Sequence, residues 1–428
     1  MKSKIRFTFL FFVSLSLFFG AFPINTKTEI SSTNSQELEL FIHFQKSPEL
    51  QYSSNWGSKV NGRYLAFLGT FTGTSIVDVT EPGENHAGKE LAYIEGSNSS
   101  WREMKDYYDP VSGHTFLYIV TEGFPGGLQI VDLSLSKPEL ISTFWRGEQT
   151  EDGDLFSGGT SWENQPHWPQ DNSENKNHPS HKSPELIPIG GDEKYLTSHT
   201  LVIDPVNARL YLNGSRSQIG SGMVILNISN PIQPQELGVY GPNSYDNFVH
   251  DGFIRDSIYY AALINTGHVK ALDVKDHQNL KEVFDIQTPQ KFTHSIWLTD
   301  GSKFLFAVDE VSNNHLLTYD IQDIQSIKLI SKFRDPSIPP KAILHQFMLR
   351  GNLLSCAWYT EGIRVVDVSN PYQPFEAGHY PTWQGPSGGF NGCWGIYVDD
   401  RGYSYGSDMY NRPEYKSGGL FVVRFPVP

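Results

Sequence analysis

The sequence predicts an all-β repeat protein, on three observations. One phrase recurs seven times: two apolar, mostly β-branched residues, then usually Asp, another apolar residue and a turn. It reads Ile76-Val77-Asp78-Val79-Thr80, Ile130-Val131-Asp132-Leu133-Ser134, Ile225-Leu226-Asn227-Ile228-Ser229, Ala271-Leu272-Asp273-Val274, Thr318-Tyr319-Asp320-Ile321 and Val365-Val366-Asp367-Val368-Ser369, with a degraded copy at Phe421-Val422-Val423-Arg424-Phe425. Each copy is flanked by other short β-rich runs with turn residues between them. The chain is also 13% aromatic and only 19% charged, the composition of a large packed core rather than of disorder. A repeated unit at steady spacing means tandem packing, so 428 residues can be one array instead of the two or three domains that length alone suggests.

The fullest unit runs from His199 to Tyr240. His199-Thr200-Leu201-Val202-Ile203 reads as a first strand, a. Asp204-Pro205-Val206-Asn207 is a turn, because Pro presets its backbone angle and Asp and Asn bond locally. Arg209–Asn213 is strand b, Gly222–Ile228 is strand c, and Ser229-Asn230-Pro231 turns into strand d at Glu236–Tyr240. Four short strands recurring roughly every 44 to 51 residues are the signature of a propeller blade. The predicted fold is therefore a seven-bladed β-propeller of four-stranded antiparallel blades.

Taken in order, Lys2, Lys4 and Arg6 precede an apolar run from Phe7 to Phe19 and the small pair Gly20-Ala21. This is the pattern of a secretory signal peptide over residues 1–21, and the run is short for a membrane span. Residues 22–428 then form one propeller domain, expected outside the cytoplasm as a periplasmic, extracellular or cell-surface monomer. The blades align on Trp56, Trp101, His199, His250, His294, His345 and Trp394 at the start of strand a. One step is double length, which places an inserted flap at about 147–195, rich in Asn, Ser, Pro and His. The last blade has only strands a, b and c, at Trp394–Val398, Tyr403–Ser407 and Gly419–Phe425. Its fourth strand is expected from the other end of the chain, where Glu37-Leu38-Glu39-Leu40-Phe41 resembles the other d strands. That pairing closes the ring and removes an exposed edge.

The net charge of −14 becomes about −17 once the three positive charges of the signal are removed, a surface that repels phosphate backbones and makes nucleic acid a poor partner. Cys356 and Cys393 are the two cysteines, too few for a disulfide scaffold, and are expected as buried free thiols.

The recurring phrases, with Trp56-Gly57, Ser100-Trp101-Arg102-Glu103-Met104-Lys105, Val249-His250-Asp251, Thr293-His294-Ser295-Ile296-Trp297, Leu344-His345-Gln346 and Asn391-Gly392-Cys393-Trp394-Gly395, resemble the LVIVD-repeat cell-surface proteins of the choice-of-anchor B type. The resemblance implies a secreted propeller, usually tethered by a variable C-terminal anchor. The chain departs from it at Phe425-Pro426-Val427-Pro428, which is not a sorting or anchor pattern, so the mode of any surface attachment stays open. The resemblance brings no enzymatic activity with it.

Strand a lines the channel of a propeller, so equivalent positions form a ring around its axis. Four consecutive blades place His there: His199, His250, His294 and His345. Trp56, Trp101 and Trp394 complete the ring. The b–c turns reach the same face and bring Glu122, Asp309, Glu310, Glu361 and Asp408, with Arg216. Arg102 and Asp251 follow ring positions directly. The insertion adds His167, His178, His181, Trp162 and Trp168. Imidazoles beside carboxylates suit a divalent transition metal such as Zn, Fe or Cu, with the carboxylates as further ligands or orienting partners. The structural alternative is that each His bonds backbone and ties neighbouring blades together. Two function classes stay open: a binding module for a protein or small-molecule ligand on the flap-bearing face, which is favoured, and a metal-dependent enzyme.

Other signals carry less. Gly385-Pro386-Ser387-Gly388-Gly389 has the spacing of a nucleophile elbow but no strand-to-helix context. Asp152-Gly153-Asp154 has too few carboxylates for a calcium loop. Trp358-Tyr359 reads as core packing or a blade-to-blade contact as readily as an exposed anchor.

Overall fold

The computed structural model describes residues 35–46, 51–123, 126–144, 196–215, 222–241 and 245–426. The signal segment, the insertion with its histidines and tryptophans, and Arg216 lie outside them.

Seven sheets follow one another along the chain, each hydrogen-bonded in the order a-b-c-d. Strand a is Tyr52–Val60 in blade 1, Arg102–Tyr108 in blade 2, Thr200–Asp204 in blade 3 and Val249–Arg255 in blade 4. It is Thr293–Leu298 in blade 5, Gln346–Arg350 in blade 6 and Cys393–Val398 in blade 7. Each strand a packs on strand a of the next blade, and that of blade 7 packs on that of blade 1. The architecture is the expected seven-bladed β-propeller.

The repeated Asp has a local cause. It ends strand c, and its Oδ1 accepts the backbone N–H two residues on, closing an Asx turn. Asp78 takes Thr80 N, Asp132 takes Ser134 N and Asp273 takes Lys275 N, at 3.0, 2.8 and 3.0 Å. Asp320 takes Gln322 N and Asp367 takes Ser369 N, at 3.1 and 2.8 Å. Asn227 does the same for Ser229 at 3.0 Å. Just before this position, held by Asp in five blades, Asn227 in blade 3 and Arg424 in blade 7, the c–d pairing of every blade slips by one residue, for example between Ile76 and Val77 or between Val365 and Val366. Such bulges twist the outer strand and blunt its free edge.

The ring closes through the N-terminus, with a change of register. The pairing strand is Glu39–Phe44, antiparallel to Ser417–Arg424 of blade 7, where Glu37–Phe41 was expected. The two residues before it, Gln36–Glu37, pair instead with Phe375–Tyr380 of blade 6, in parallel. Leu38 explains the shift. It is 3% exposed and fills the space between Ile363 and Val365 of blade 6 and Phe421 and Val423 of blade 7. One apolar side chain thus seats the terminus across two blades, a burial worth about 1.5–3 kcal/mol.

The core lies between adjacent sheets. Leu65, Phe67 and Ile76 of blade 1 meet Leu117, Ile119 and Val131 of blade 2, and Tyr260, Val269 and Phe284 of blade 4 meet Ile296, Leu305 and Leu317 of blade 5. Cys356 and Cys393 are buried free thiols, as expected.

Candidate functional site

The start of strand a decides which side chains face one another around the axis. In blade 4, Val249 pairs with Leu263 and Asp251 with Ala262, so His250 is left over as a bulge. His294 is left over between Thr293 and Ser295 in blade 5, and Trp394 between Cys393 and Gly395 in blade 7. A bulge re-aims its side chain. His199 and His345 stand one residue ahead of strand a, their N–H groups bonded to Asn213 O and Ala357 O at 2.9 Å. The outcome is one continuous row: ring centroids are 4.1 Å apart for His199 and His250, 4.1 Å for His250 and His294, and 4.2 Å for His294 and His345. Beyond His345 lie Tyr359 at 5.0 Å and Trp394 at 5.4 Å.

The indoles are not all in the ring. In blade 1, Tyr52 pairs with Thr70 and Asn55 with Leu68, so Ser53 and Ser54 occupy the bulge and Trp56 stands farther along the strand, opposite Phe67. Trp56 there donates Nε1–H to Asp106 at 2.7 Å beneath the Lys105 ammonium, 4.0 Å from its ring. Trp101 does reach the mouth and packs beside Tyr359, Trp394 and Met409. The expected four imidazoles and three indoles are four imidazoles and two indoles, because two bulged serines displace the register of blade 1.

Protons and charge are unevenly placed along the row. His199 Nδ1 is 2.8 Å from Glu122 Oε1. Burial opposes its charge, but Glu122, with Glu103 and Asp251 farther off, raises its pKa above the ordinary value. Burial holds His250 and His294 well below that value, with the neighbouring imidazoles adding to the effect. Burial also pushes His345 down to about 3, against its bond to the Trp394 carbonyl. The charged form is thus favoured at His199, beside its carboxylate partner, and disfavoured at the other three imidazoles. Glu310 is pushed up to about 7 by burial, against the hydroxyl of Tyr359 at 2.6 Å. Burial raises Asp251 to about 6, against hydrogen bonds from Gly252 N and Ser295 Oγ.

The geometry is only partly satisfied. Glu310 faces His294 Nε2 at 3.5 Å and His345 Nε2 at 3.7 Å, both too long for hydrogen bonds. His250 Nδ1 is buried and makes no hydrogen bond of good geometry, although the His294 backbone lies beside it. Buried polar groups left this way call for a reason other than fold stability.

The remaining sequence candidates fall away from the row. Arg102 ties blade 1 to blade 2 through Thr70 O and Ser97 O, at 3.3 and 2.6 Å. Asp309 pins the loop entering blade 5, accepting from Thr288 Oγ1, Gln290 N and Phe292 N. Glu361 pairs with Arg364 at 3.6 Å and accepts Ser387 Oγ at 2.6 Å, which also accounts for the serine of the glycine-rich segment. Asp408 is fully buried in blade 7, raised to about 7 by that burial. Ser295 is not among the sequence candidates, and Tyr359 enters them only as packing or an exposed anchor. Ser295 follows His294 as Asp251 follows His250, a parallel visible in the aligned blades. Tyr359 occupies a b–c turn with φ of 30°, a strained setting for a non-glycine residue and a recurrent mark of functional sites.

The LVIVD repeat family matches residues 219–241 and 348–382. The first match spans strands c and d of blade 3, and the second runs from strand a to strand d of blade 6. No curated protein matches the chain. Repeat phrase, blade and family match coincide there, and the chain is a seven-bladed β-propeller that contains LVIVD repeats.

Proposed function

We propose that this propeller is a secreted binding module, exported as a monomer by its N-terminal signal, with its ligand seated at the channel mouth beside His199, His250, His294 and His345. The signal pattern and the likeness to choice-of-anchor B surface proteins support the location. Among the described residues no helix is long and apolar enough to cross a membrane. The ligand is a small molecule or a protein segment entering from the face that carries the b–c turns.

The observation that carries this reading is the unspent bonding capacity of the row. A histidine that only ties blades together would use both ring nitrogens on protein groups. His250 Nδ1 has only the His294 backbone beside it, short of good hydrogen-bond geometry, and the Nε2 atoms of His294 and His345 face a carboxylate beyond hydrogen-bond reach. Strongly shifted pKa values gathered along one row of side chains point the same way. A metal-dependent enzyme is the second reading, favoured by the convergence of His294, Glu310 and His345.

His250→Leu tests the first reading. It keeps the volume and removes the unsatisfied nitrogen. In urea unfolding the variant is expected to be as stable as the parent, or more so. A loss of about 2 kcal/mol or more, the cost of breaking a structural hydrogen bond in the interior, would mark His250 as a blade tie and sink the proposal.

A further inference from the structure

Three lone-pair groups meet at the blade 5–blade 6 end of the row. One ligating atom from each of His294, Glu310 and His345 lies within 4.8 Å of the other two. The hydrogen atoms are committed elsewhere. His345 donates Nδ1–H to Trp394 O at 2.6 Å. Ser295 gives its hydroxyl proton to Asp251 Oδ2 at 3.0 Å, so its oxygen accepts from His294 Nδ1 at 3.3 Å. Both rings are thereby set in the tautomer that leaves Nε2 with a lone pair on the Glu310 side. Tyr359 donates to Glu310 Oε1 at 2.6 Å and fixes the carboxyl group. With Glu310 ionised these lone pairs have no proton between them and repel, and a cation reverses the sign of that interaction.

We infer that His294, His345 and Glu310 form a binding site for a divalent transition metal, an inference that rests on reading the mouth as a ligand site. Two imidazoles and one carboxylate suit Zn, Fe or Cu. Ligand atoms about 2.0–2.2 Å from a tetrahedral centre stand roughly 3.4 Å apart. His294 Nε2 is 3.5 Å from Oε2 and His345 Nε2 is 3.7 Å from Oε1, and with one atom per residue the three stay within 4.8 Å of one another, so side-chain adjustments of about 1 Å bring them to a common centre. Three protein ligands leave a position for water or for an oxygen or nitrogen donor of a bound molecule. Ser295 with Asp251, the Trp394 carbonyl and the Tyr359 hydroxyl act as positioning groups for the three ligands. His199 stays outside the set, because Glu122 holds its Nδ1.

The test uses the full exported chain, purified without a histidine tag and stripped with chelator. Co²⁺ is titrated in, its visible bands reporting the ligand field, and Zn²⁺ is added in competition. The inference expects one ion per chain, with affinity down about 100-fold in His294→Ala and His345→Ala, about 10-fold or more in Ser295→Ala, and unchanged in His114→Ala, whose ring pairs with Asp132 away from the row. Circular dichroism checks the fold of each variant. Should the two histidine variants fail to fold, Ser295→Ala decides: a tenfold loss upholds the site and unchanged affinity overturns it. No stoichiometric ion, or an ion indifferent to His294 and His345, also overturns it. If that happens while His250→Leu is as stable as the parent, the metal alone is lost and the mouth remains a ligand site. If His250→Leu is destabilised, the ligand-site reading fails as well.

Discussion

Asp106 and Glu310 are two inward carboxyl groups of one propeller, and they are treated in opposite ways. Asp106, on strand a of blade 2, receives Trp56 Nε1–H and Ser58 Oγ–H at 2.7 Å each, one on each oxygen. Glu310, in the b–c turn of blade 5, receives one hydrogen bond and faces two imidazole nitrogens across 3.5 and 3.7 Å. Burial raises both pKa values, so desolvation alone does not separate them. Saturation does. A carboxylate that serves the fold has its lone pairs filled by the chain, whereas one that serves a ligand keeps part of that capacity open and costs stability.

A third buried carboxyl, Asp408, calibrates the desolvation that the other two share, and carries the largest expected effect. Burial pushes it up to about 7, against a hydrogen bond from Tyr410 N. An acid whose pKa is raised by folding keeps its proton longer in the folded state than in the unfolded one. Its contribution is therefore full below the unfolded value near 4, falls as pH rises, and levels off above the folded value. Between pH 4 and pH 7 the parent should lose about 3–4 kcal/mol more stability than Asp408→Asn. Parallel urea midpoints across that range would show that Asp408 titrates as an ordinary exposed carboxyl.

The next effect separates the two members of the comparison directly. Asp106→Ala strands an indole N–H and a hydroxyl, and should cost about 2–3 kcal/mol in urea unfolding. Glu310→Gln should go the other way, stabilising by about 1 kcal/mol. Its amide oxygen still accepts from Tyr359, and its NH₂ can donate to an imidazole lone pair. Equal losses in the two variants would remove the distinction and return Glu310 to the fold.

The parts of this arrangement that come from repetition were legible in the sequence. The Asp at the end of strand c needs only its own turn, so it recurs as a readable letter. The four histidines stand at blade spacing, and four of the seven entry positions were found that way. Trp56 was misplaced because a bulge is a backbone event: Ser53 and Ser54 carry no signal that the pairing will skip them. Gln36–Glu37 joined blade 6 for a reason outside their own residues, since Leu38 selects the groove. Tyr359 and Glu310 lie 49 residues apart in sequence, with Tyr359 Oη 2.6 Å from the carboxyl group. Their contact exists only because adjacent b–c turns meet at the mouth, and no local pattern encodes it. Asp309, Glu361 and Arg102 were drawn into the site by position alone, and their hydrogen bonds assign them to loops and blade seams.

Tyr359→Phe gives the smallest effect and probes the boundary between the two classes. The substitution keeps the ring against His345 and Phe390, 5.0 and 5.4 Å away, and deletes one donor to Glu310. Because Glu310 is not saturated to begin with, the fold should lose only about 1 kcal/mol, well short of the loss in Asp106→Ala. The carboxyl group becomes free to rotate, so Co²⁺ affinity should fall about tenfold. A stability loss equal to that of Asp106→Ala, with no change in metal affinity, would mean that the Tyr359 hydroxyl completes a structural carboxylate. The open valence at the mouth would then be a feature of packing, and Glu310 would stand beside Asp106 rather than opposite it.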